Sequence, residues 1–482
     1  MQALAVLGIV LFYSTASAAV NITNFTSNLP LLHVNTLGEA IGTEDEVNAR
    51  VTLLNAATNR SGDLLRTAPG LAAKLQIRGN SSAKFSKKQY DFELFVPGNP
   101  DKKAPASLLG MPVHHKWVLA APYSDRSLIR NSLGFAIARS LKDANGNSWY
   151  APRTQAIELF INGKYQGVYV LTEKIDGSKD RGNLGEVNEE EPEKSPFIVK
   201  VERSTSRDTS EFFKLPKTNK ISYFEPKAKS LAKLIEKNPK KGARFYSHIQ
   251  RTMMRLEDSI LAINDGDFRS YRQVIEPVSF QNFILTHEVL KNLDGFRRSI
   301  YAQYKNGRVQ LGPVWDFDLA LANLKAFNQM NPEGFQVGHS FYIDFNPEIF
   351  WFRTLLRDPS FQADLVRRYH ELRRPGRALG TDTLMNLIDT QSGELAKSQA
   401  QLRNFTVWNF NGVRGDGPVM FFVPKYRVFS YSGVINETKQ WLRHRLDWLD
   451  HNIQFIGRPD AFSQLESGHL VLHQDLADEI QD

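Results

Sequence analysis

The sequence contains no cysteine among its 482 residues. Disulfide frameworks, cysteine zinc sites, iron–sulfur clusters and thiol catalysis are therefore excluded. It also lacks any run of about 20 apolar residues, the length that a membrane-spanning helix requires, so we expect no integral membrane segment in the mature chain. Gly-x₄-Gly-Lys-[Ser/Thr], Gly-x-Ser-x-Gly and His-Glu-x-x-His are absent as well. The enzyme classes that depend on these motifs are not indicated.

The composition is that of a soluble globular protein, with 41% hydrophobic, 11% aromatic and 23% charged residues. A net charge of +8 is modest for this length and does not indicate a nucleic-acid partner. Between Arg60 and Arg139 there are 13 Lys or Arg against 5 Asp or Glu, which accounts for the whole surplus. A solvated basic face or a binding site for a polyphosphate would each explain the excess of positive charge in this segment.

The N-terminus has the pattern of a secretory signal peptide. Residues 1–18 carry no charge, and an apolar run from Leu4 to Tyr13 precedes Ala16-Ser-Ala18, a small-residue cleavage site. We therefore predict export to the cell envelope, the surface or the extracellular space. A buried N-terminal element is the alternative interpretation.

Hydrophobic periodicity predicts alternating strands in the first half of the chain and mostly helices afterwards. In residues 88–95, Tyr90, Phe92 and Leu94 share one face. Asn162-Gly163 and Asn306-Gly307 are typical of β-hairpin turns. The predicted strands are Leu75–Gly79, Lys88–Phe95, Trp117–Ala120, Gln155–Ile161, Tyr165–Thr172, Phe197–Val201, Ile300–Tyr304 and Val309–Leu311. The predicted helices are Asp125–Leu141, Ser230–Ile235, Ala243–Ile263, Ser279–Leu293 and Glu437–Ile453.

Three carboxylates near the second hairpin are candidates for chemistry. Asp316 and Asp318 lie two residues apart on a predicted extended segment, so both point the same way and could hold a hard cation such as Mg²⁺. Asp294 follows a helix and precedes the hairpin, and this order of elements is that of a kinase C-lobe. The structural alternatives are an ordinary acidic pair in a loop and an Asp294 that caps a turn beside Gly295.

Two basic side chains are candidates for phosphate binding. Lys88 stands at the head of a predicted strand, after the small polar turn Gly79-Asn-Ser-Ser82. Strand alternation directs Lys87 to the opposite face, so we favour Lys88 as the inward lysine. Arg130 could bind phosphate, or it could pair with Asp125 or Glu93. A spatially paired set of carboxylates acting on an envelope polysaccharide is a further possibility that one sequence leaves open.

Several long motifs in collinear order resemble the CotH family, the spore-coat protein H kinases. They run from about Leu75 to the helix that ends near Leu449, which is most of the mature chain. The motifs are Arg78-Gly-Asn-Ser-Ser82, Phe85-Ser-Lys-Lys-Gln-Tyr90, Leu108-Leu-Gly-Met-Pro112, Trp117–Asn131, Tyr150–Thr154, Glu158–Gly163, Gly167–Ile175, Lys291–Ser299 and Gly312–Ala320.

The resemblance implies a diverged bilobed protein-kinase-like α+β fold, with an antiparallel N-lobe sheet, one main N-lobe helix and a mostly helical C-lobe. The corresponding division of the chain is a signal peptide (1–18), an N-terminal extension (19–70), an N-lobe (71–175), an inter-lobe loop (176–196), a C-lobe (197–455) and a tail (456–482).

The implied activity is transfer of the ATP γ-phosphoryl group to Ser or Thr of a protein, with Mg²⁺ or Mn²⁺ as cofactor. The resemblance gives Lys88 a catalytic, phosphate-binding role, and Arg130 remains a further candidate for binding the nucleotide phosphates on the residues alone. It places Glu173 near the adenine. Asp294 would be the catalytic aspartate and Asp316 the metal ligand, assisted by Asp318.

One position departs from the kinase pattern. A typical kinase has an Asn metal ligand about four or five residues after the catalytic Asp, where this chain has Arg298 and Ser299. Either Asp318 replaces that ligand or metal binding is weaker. The expected partners are ATP and an envelope or coat protein. The alternative function is a non-catalytic exported surface or assembly protein.

Overall fold

The computed structural model describes residues 23–188, 190–201, 212–216, 220–325, 328–338, 349–408 and 430–458. The predicted signal peptide and nearly all of the predicted tail lie outside this part of the chain. None of the helices described is both long and apolar enough to cross a membrane.

Seven strands of the N-terminal half close into a barrel. The strand order is β5-β3-β2-β9-β10-β8-β6, and β6 returns to pair with β5. All of these pairings are antiparallel except that of β2 with β9. The strands in this half are β1 (Thr26–Ser27), β2 (Leu31–Asn35), β3 (Val47–Leu54), β4 (Asn59–Arg60), β5 (Leu71–Arg78), β6 (Gln89–Val96), β7 (Asn99–Lys103), β8 (Lys116–Ala120), β9 (Thr154–Ile161) and β10 (Lys164–Glu173).

The alternating pattern of β6 determines which side chains fill the barrel. Tyr90, Phe92 and Leu94 are all buried in one apolar cluster, as predicted. Trp117 of β8 and Tyr169 of β10 join them. A strand with one apolar face must cover that face, and here the opposite wall of the barrel covers it. The small strand β7 extends the sheet beyond β6, while β1 and β4 form a separate pair.

A second, five-stranded antiparallel sheet has the order β12-β13-β11-β14-β15. One face of β11 contributes Phe197, Val199 and Val201 to the largest core cluster. The other face contributes Ile198, which packs with Tyr301 of β14. The strands are β11 (Phe197–Val201), β12 (Phe212–Lys214), β13 (Lys220–Glu225), β14 (Ile300–Lys305) and β15 (Arg308–Leu311).

Helices cover the inner face of this sheet and make up most of the C-terminal half. The helix α6 is buried from Ser279 to Val289 and runs into the candidate site. The helices are α1 (Ser61–Arg66), α2 (Arg130–Ser140), α3 (Ala228–Lys237), α4 (Pro239–Leu261), α5 (Ser270–Val274), α6 (Pro277–Val289), α7 (Phe350–Leu355), α8 (Pro359–Arg373), α9 (Thr381–Lys397), α10 (Ala400–Val407) and α11 (Tyr431–Asn452).

The prediction of a bilobed protein-kinase-like fold with a single antiparallel N-lobe sheet is wrong. The sheet closes because β5 pairs with β3 on one edge and with β6 on the other. The segment before residue 71 supplies β2 and β3 to this barrel. A second sheet of five strands then follows in the next part of the chain. Closure depends on pairing between strands far apart in sequence, which local periodicity does not report.

Candidate functional site

The predicted order of elements around the three carboxylates is confirmed. Helix α6 ends at Val289, a short turn at Asp294–Phe296 follows, and the β14–β15 hairpin leads back to Asp316. Asp294 is 5% exposed. Asp316 has a φ of 65°, in the left-handed region that non-glycine residues rarely adopt. A backbone strained at this point, near the buried Asp294 carboxylate, is typical of a functional site.

The carboxyl groups of Asp316 and Asp318 lie close enough to influence each other's ionisation directly. The side chain of Asn131 in α2 joins them, because its Nδ2 donates to Asp318 Oδ1 (2.7 Å) and its Oδ1 accepts from the Phe317 amide (2.7 Å). The segment after β15 is therefore held on the N-terminal end of α2.

The electrostatics of this pair favour a cation. Burial, followed by repulsion from Asp294, raises the pKa of Asp316. Burial raises the pKa of Asp318 well above its usual value, and the Asp316 and Asp125 carboxyls raise it further. Two neighbouring carboxyls held this close together resist double ionisation. A divalent ion between them would remove this repulsion.

Basic side chains surround the carboxylates. Arg298 Nε donates to Asp294 Oδ1 at 2.7 Å. The positive charges of Arg298 and of Lys200 in β11 also act on Asp316 and favour its ionised form. The barrel contributes Arg78, whose guanidinium lies 5.4 Å from the centre of the Trp315 ring. The site thus combines clustered negative charge with cations from both sheets, which suits a metal-bound polyphosphate.

A buried amide ties the two aspartate segments together. Asn292 is fully buried, and its Nδ2 lies 2.9 Å from the Asp316 carbonyl oxygen and 3.1 Å from His287 Nδ1. His287 stacks on Phe317, with ring centres 5.2 Å apart. Burial lowers the pKa of His287 to about 3, so the ring is neutral at physiological pH. This contact fixes the distance between the Asp294 turn and the Asp316 turn.

Strand alternation predicted that Lys88 points inward and Lys87 outward, but the structure buries Lys87 instead. Strand β6 begins at Gln89, so both lysines precede it. Lys87 is 1% exposed, and its Nζ donates to the Val168 carbonyl (2.6 Å) and to Asn404 Oδ1 (2.8 Å). Lys88 is half-buried and donates to the Ala83 carbonyl at 2.9 Å. A nucleotide role for Lys88 stays a prediction.

The other two predicted nucleotide ligands have structural partners. Arg130 pairs with Asp125, as one of the alternatives held, and also donates to the carbonyls of Ala320 and Leu321. Glu173 is fully buried, accepts from the Arg153 backbone amide (2.9 Å) and pairs with the Arg153 guanidinium (3.0 Å). Their contacts link elements of the protein to each other, and their roles toward ATP stay predictions.

Sequence reasoning missed Lys200, Asn131 and Asn292 as members of the site. Lys200 lies about a hundred residues before Asp316, and nothing in its own strand pattern marks it. Asn131 and Asn292 stand inside motifs quoted for the family resemblance, so those motifs were the only signal available.

A family model described as CotH kinase protein matches residues 75–449, most of the chain. The match spans every residue of the site described above. Among curated proteins, none matches the chain.

Proposed function

The chain belongs to the CotH kinase family, and from that premise we propose that it is a Mg²⁺- and ATP-dependent kinase that phosphorylates Ser or Thr of a protein. The observation that carries the proposal is the convergence of Asp294, Asp316 and Asp318 with Lys200 and Arg298. Phosphoryl transfer depends mainly on positioning and on charge stabilisation, and this site offers groups for both.

The donor set fits magnesium. Among the residues that the structure describes, no group of three or more His, Asp or Glu is placed to hold a metal alone. Mg²⁺ in phosphate-binding sites takes one or two carboxylates and completes its octahedron with phosphate oxygens and water. Asp316 and Asp318 would supply those carboxylates, and the bound ion would neutralise charge on the phosphates.

Asp294 is the candidate for orienting the acceptor hydroxyl and accepting its proton. Its carboxylate has one oxygen, Oδ1, engaged by Arg298. The Arg298 contact fixes the rotation of the carboxylate, which a general base needs in order to meet its substrate. Lys200 and Arg78 are candidates for phosphate contacts, since they bring positive charge to the same site from different sheets.

The proposed acceptor and place of action rest on the sequence alone. The signal-peptide pattern of residues 1–18 supports export, and an exported acceptor is then an envelope or coat protein. The competing proposal of a non-catalytic surface protein predicts nucleotide-independent partner binding and no phosphoryl transfer.

The test is phosphoryl transfer from γ-labelled ATP with Mg²⁺, to the protein itself and to a Ser-rich acceptor. We expect Asp294→Asn to reduce transfer by about 10²-fold or more while ATP affinity stays near that of the wild type, because a general base acts in the transition state. The matched control is Asp45→Asn, which changes an exposed carboxylate outside the site. Wild-type protein that binds Mg·ATP yet labels nothing would contradict the kinase proposal.

A further inference from the structure

A segment that follows Asp318 in the chain is held in place by side chains of two helices. It covers residues 328–338 and contains no helix or strand, and we call it the anchored segment. Three of its carbonyl oxygens converge on the Lys291 ammonium: those of Asn328 (3.1 Å), Asn331 (2.7 Å) and Glu333 (2.6 Å). Lys291 is fully buried. All three N–H groups of its ammonium are therefore engaged by the backbone of the anchored segment.

Helix α11 holds further carbonyls of the anchored segment. Arg445 Nη1 donates to the carbonyls of Pro332 (2.7 Å) and Gly334 (2.6 Å). Trp441 Nε1 donates to the Met330 carbonyl at 2.8 Å. Irregular backbone that is withdrawn from water needs such partners, because it has no hydrogen-bonded ladder of its own.

Glu288 in the last turn of α6 binds the other end of the anchored segment. Its carboxylate accepts from the amides of Gln336 (2.7 Å) and Val337 (2.9 Å), and it pairs with Arg445 at 2.5 Å. Both Glu288 and Arg445 are fully buried. Burying these charges costs desolvation energy, so the backbone path of the anchored segment is specified more strongly than a loop without a role requires.

Lys291 also directs the chain from α6 toward Asp294. Its φ is 46°, in the left-handed region, just after the helix ends. The next residue is Asn292, whose amide donates to the Asp316 carbonyl, and Asp294 stands three positions after Lys291. Strained backbone persists where the surroundings over-determine it, and it clusters at functional sites. Lys291 thus joins the anchored segment to the Asp294 turn and, through Asn292, to Asp316.

The three-carbonyl arrangement specifies the charged form of Lys291. An ammonium has three N–H donors, whereas a neutral amine has two and a lone pair that would face the third carbonyl oxygen. Charge-assisted hydrogen bonds are also stronger than neutral ones. The connection between Lys291 and the anchored segment therefore depends on this proton.

We propose that Lys291 is a positioning residue for phosphoryl transfer: its ammonium ties the anchored segment to the Asp294 turn, and this connection keeps Asp294 and Asp316 in the arrangement that transfer requires. Lys291 acts through these neighbours and not on the substrate, since its donors are all engaged by the protein. A displacement of about 1 Å in a reacting group can cost about 10²-fold in rate. The inference rests on the proposed function, because the geometry it concerns is that of transfer from Mg·ATP.

The pH dependence separates positioning from stability. Burial, followed by the charge of Arg445, lowers the pKa of Lys291 to about 7, and the facing carboxylates of Glu288 and Glu333 oppose this change. Between that value and the usual lysine pKa of about 10.4, the unfolded chain binds more protons, so this group stabilises the fold as the pH rises. One hydrogen bond to the anchored segment is lost over the same range. We therefore expect transfer by the wild type to decline while its stability does not.

The test measures steady-state transfer from γ-labelled ATP, together with urea unfolding, from about pH 6 to about pH 9. At the acid end we expect Lys291→Met to lower kcat about 10- to 100-fold per folded molecule, with KM for ATP within about twofold of the wild type. This difference should shrink as the pH rises. Lys325→Met is the matched control, because Lys325 is exposed shortly before the anchored segment, and it should follow the wild type at every pH.

Equal kcat per folded molecule in Lys291→Met and wild type would overturn the positioning role and leave the kinase proposal standing. Should Lys291→Met fail to fold, the wild-type profile decides: transfer that holds or rises with pH through this range would overturn the inference. A wild type that labels no acceptor at any pH would refute the kinase proposal and the inference with it.

Discussion

At the scale of single residues, the least expected side chain is Lys87. Burial lowers the pKa of Lys87 well below its usual value. Its ammonium lies 4.9 Å from the centre of the Tyr169 ring, besides its two hydrogen bonds. No carboxylate in the described part of the chain forms an ion pair with it. The folded state therefore holds this proton less tightly than the unfolded chain does.

The sign of the pH dependence follows from that difference. Between the lowered pKa of Lys87 and the usual lysine value of about 10.4, the unfolded chain binds more protons, so stability rises with pH. We expect the unfolding free energy of the wild type to increase relative to that of Lys87→Met as the pH rises through this range. The increase should be at most about 1.4 kcal/mol per pH unit. Urea unfolding at a series of pH values measures it.

Lys88→Met is the matched control for that series, because it removes the neighbouring half-buried ammonium. Parallel profiles for wild type and Lys87→Met would show that Lys87 keeps an ordinary affinity for its proton.

At the scale of elements, α10 docks on the β9–β10 hairpin through buried polar contacts. Asn404 Oδ1 accepts from the Val168 amide as well as from Lys87. Arg403 makes two hydrogen bonds to Glu158, at 2.8 and 2.6 Å. Removing one partner of such a buried pair leaves an uncompensated charge. The contact joins residues more than 200 positions apart, so it couples the barrel to the C-terminal half.

Gly167 is the position where this docking is tightest. It has a φ of 88°, and a Cβ atom there would lie 2.5 Å from Asn404 Oδ1. Gly167→Ala should therefore cost clearly more than the 1–2 kcal/mol of a left-handed alanine, and it should perturb the fluorescence of Trp408, which packs at the same place. Chemical unfolding followed by tryptophan emission measures both effects.

Gly163→Ala in the turn of the same hairpin is the comparison. Its φ is 75°, and a Cβ there would meet nothing within 4 Å. This variant should show the conformational cost alone. Equal destabilisation by the two substitutions would mean that α10 moves away freely from the hairpin.

Periodicity and turn signals predicted many of the individual elements, but they missed β2, β3, β12 and β13. Asn162-Gly163 and Asn306-Gly307 lie at the turns of real hairpins, and the Phe197–Val201 strand has the predicted bounds. The Asp125–Leu141 helix starts late, at Arg130, because Asp125 is engaged by Ser127 and Arg130. Barrel closure was missed because it requires strands that pair across long stretches of chain.

Local sequence order predicted some residues of the candidate site, and tertiary packing alone brings in the others. Asp294, Asp316 and Asp318 could be predicted from the local order of helix, hairpin and acidic pair. Lys200 belongs to the site because β11 pairs with β14, and Asn131 because α2 begins beside Phe317. These contacts come from tertiary packing. They have no counterpart in local periodicity, so a single sequence does not reveal them.

At the scale of the whole molecule, the largest apolar cluster links the five-stranded sheet, α2 and the C-terminal helices. The barrel has a separate interior cluster. The carboxylates lie where α2, the hairpin and the end of the barrel meet. Their geometry therefore depends on the barrel and the five-stranded sheet keeping their relative placement.

The closed barrel has a consequence for where the chain can be cut. The family match begins at residue 75, inside β5, whereas β2 and β3 lie before it. A fragment limited to residues 75–449 would lose both strands, and β9 and the remnant of β5 would present unpaired amides and carbonyls. Exposed strand edges of this kind recruit other chains. We expect this fragment to self-associate in size-exclusion chromatography, and a chain starting at residue 23 to remain dispersed. A monodisperse 75–449 fragment would show that the barrel tolerates opening.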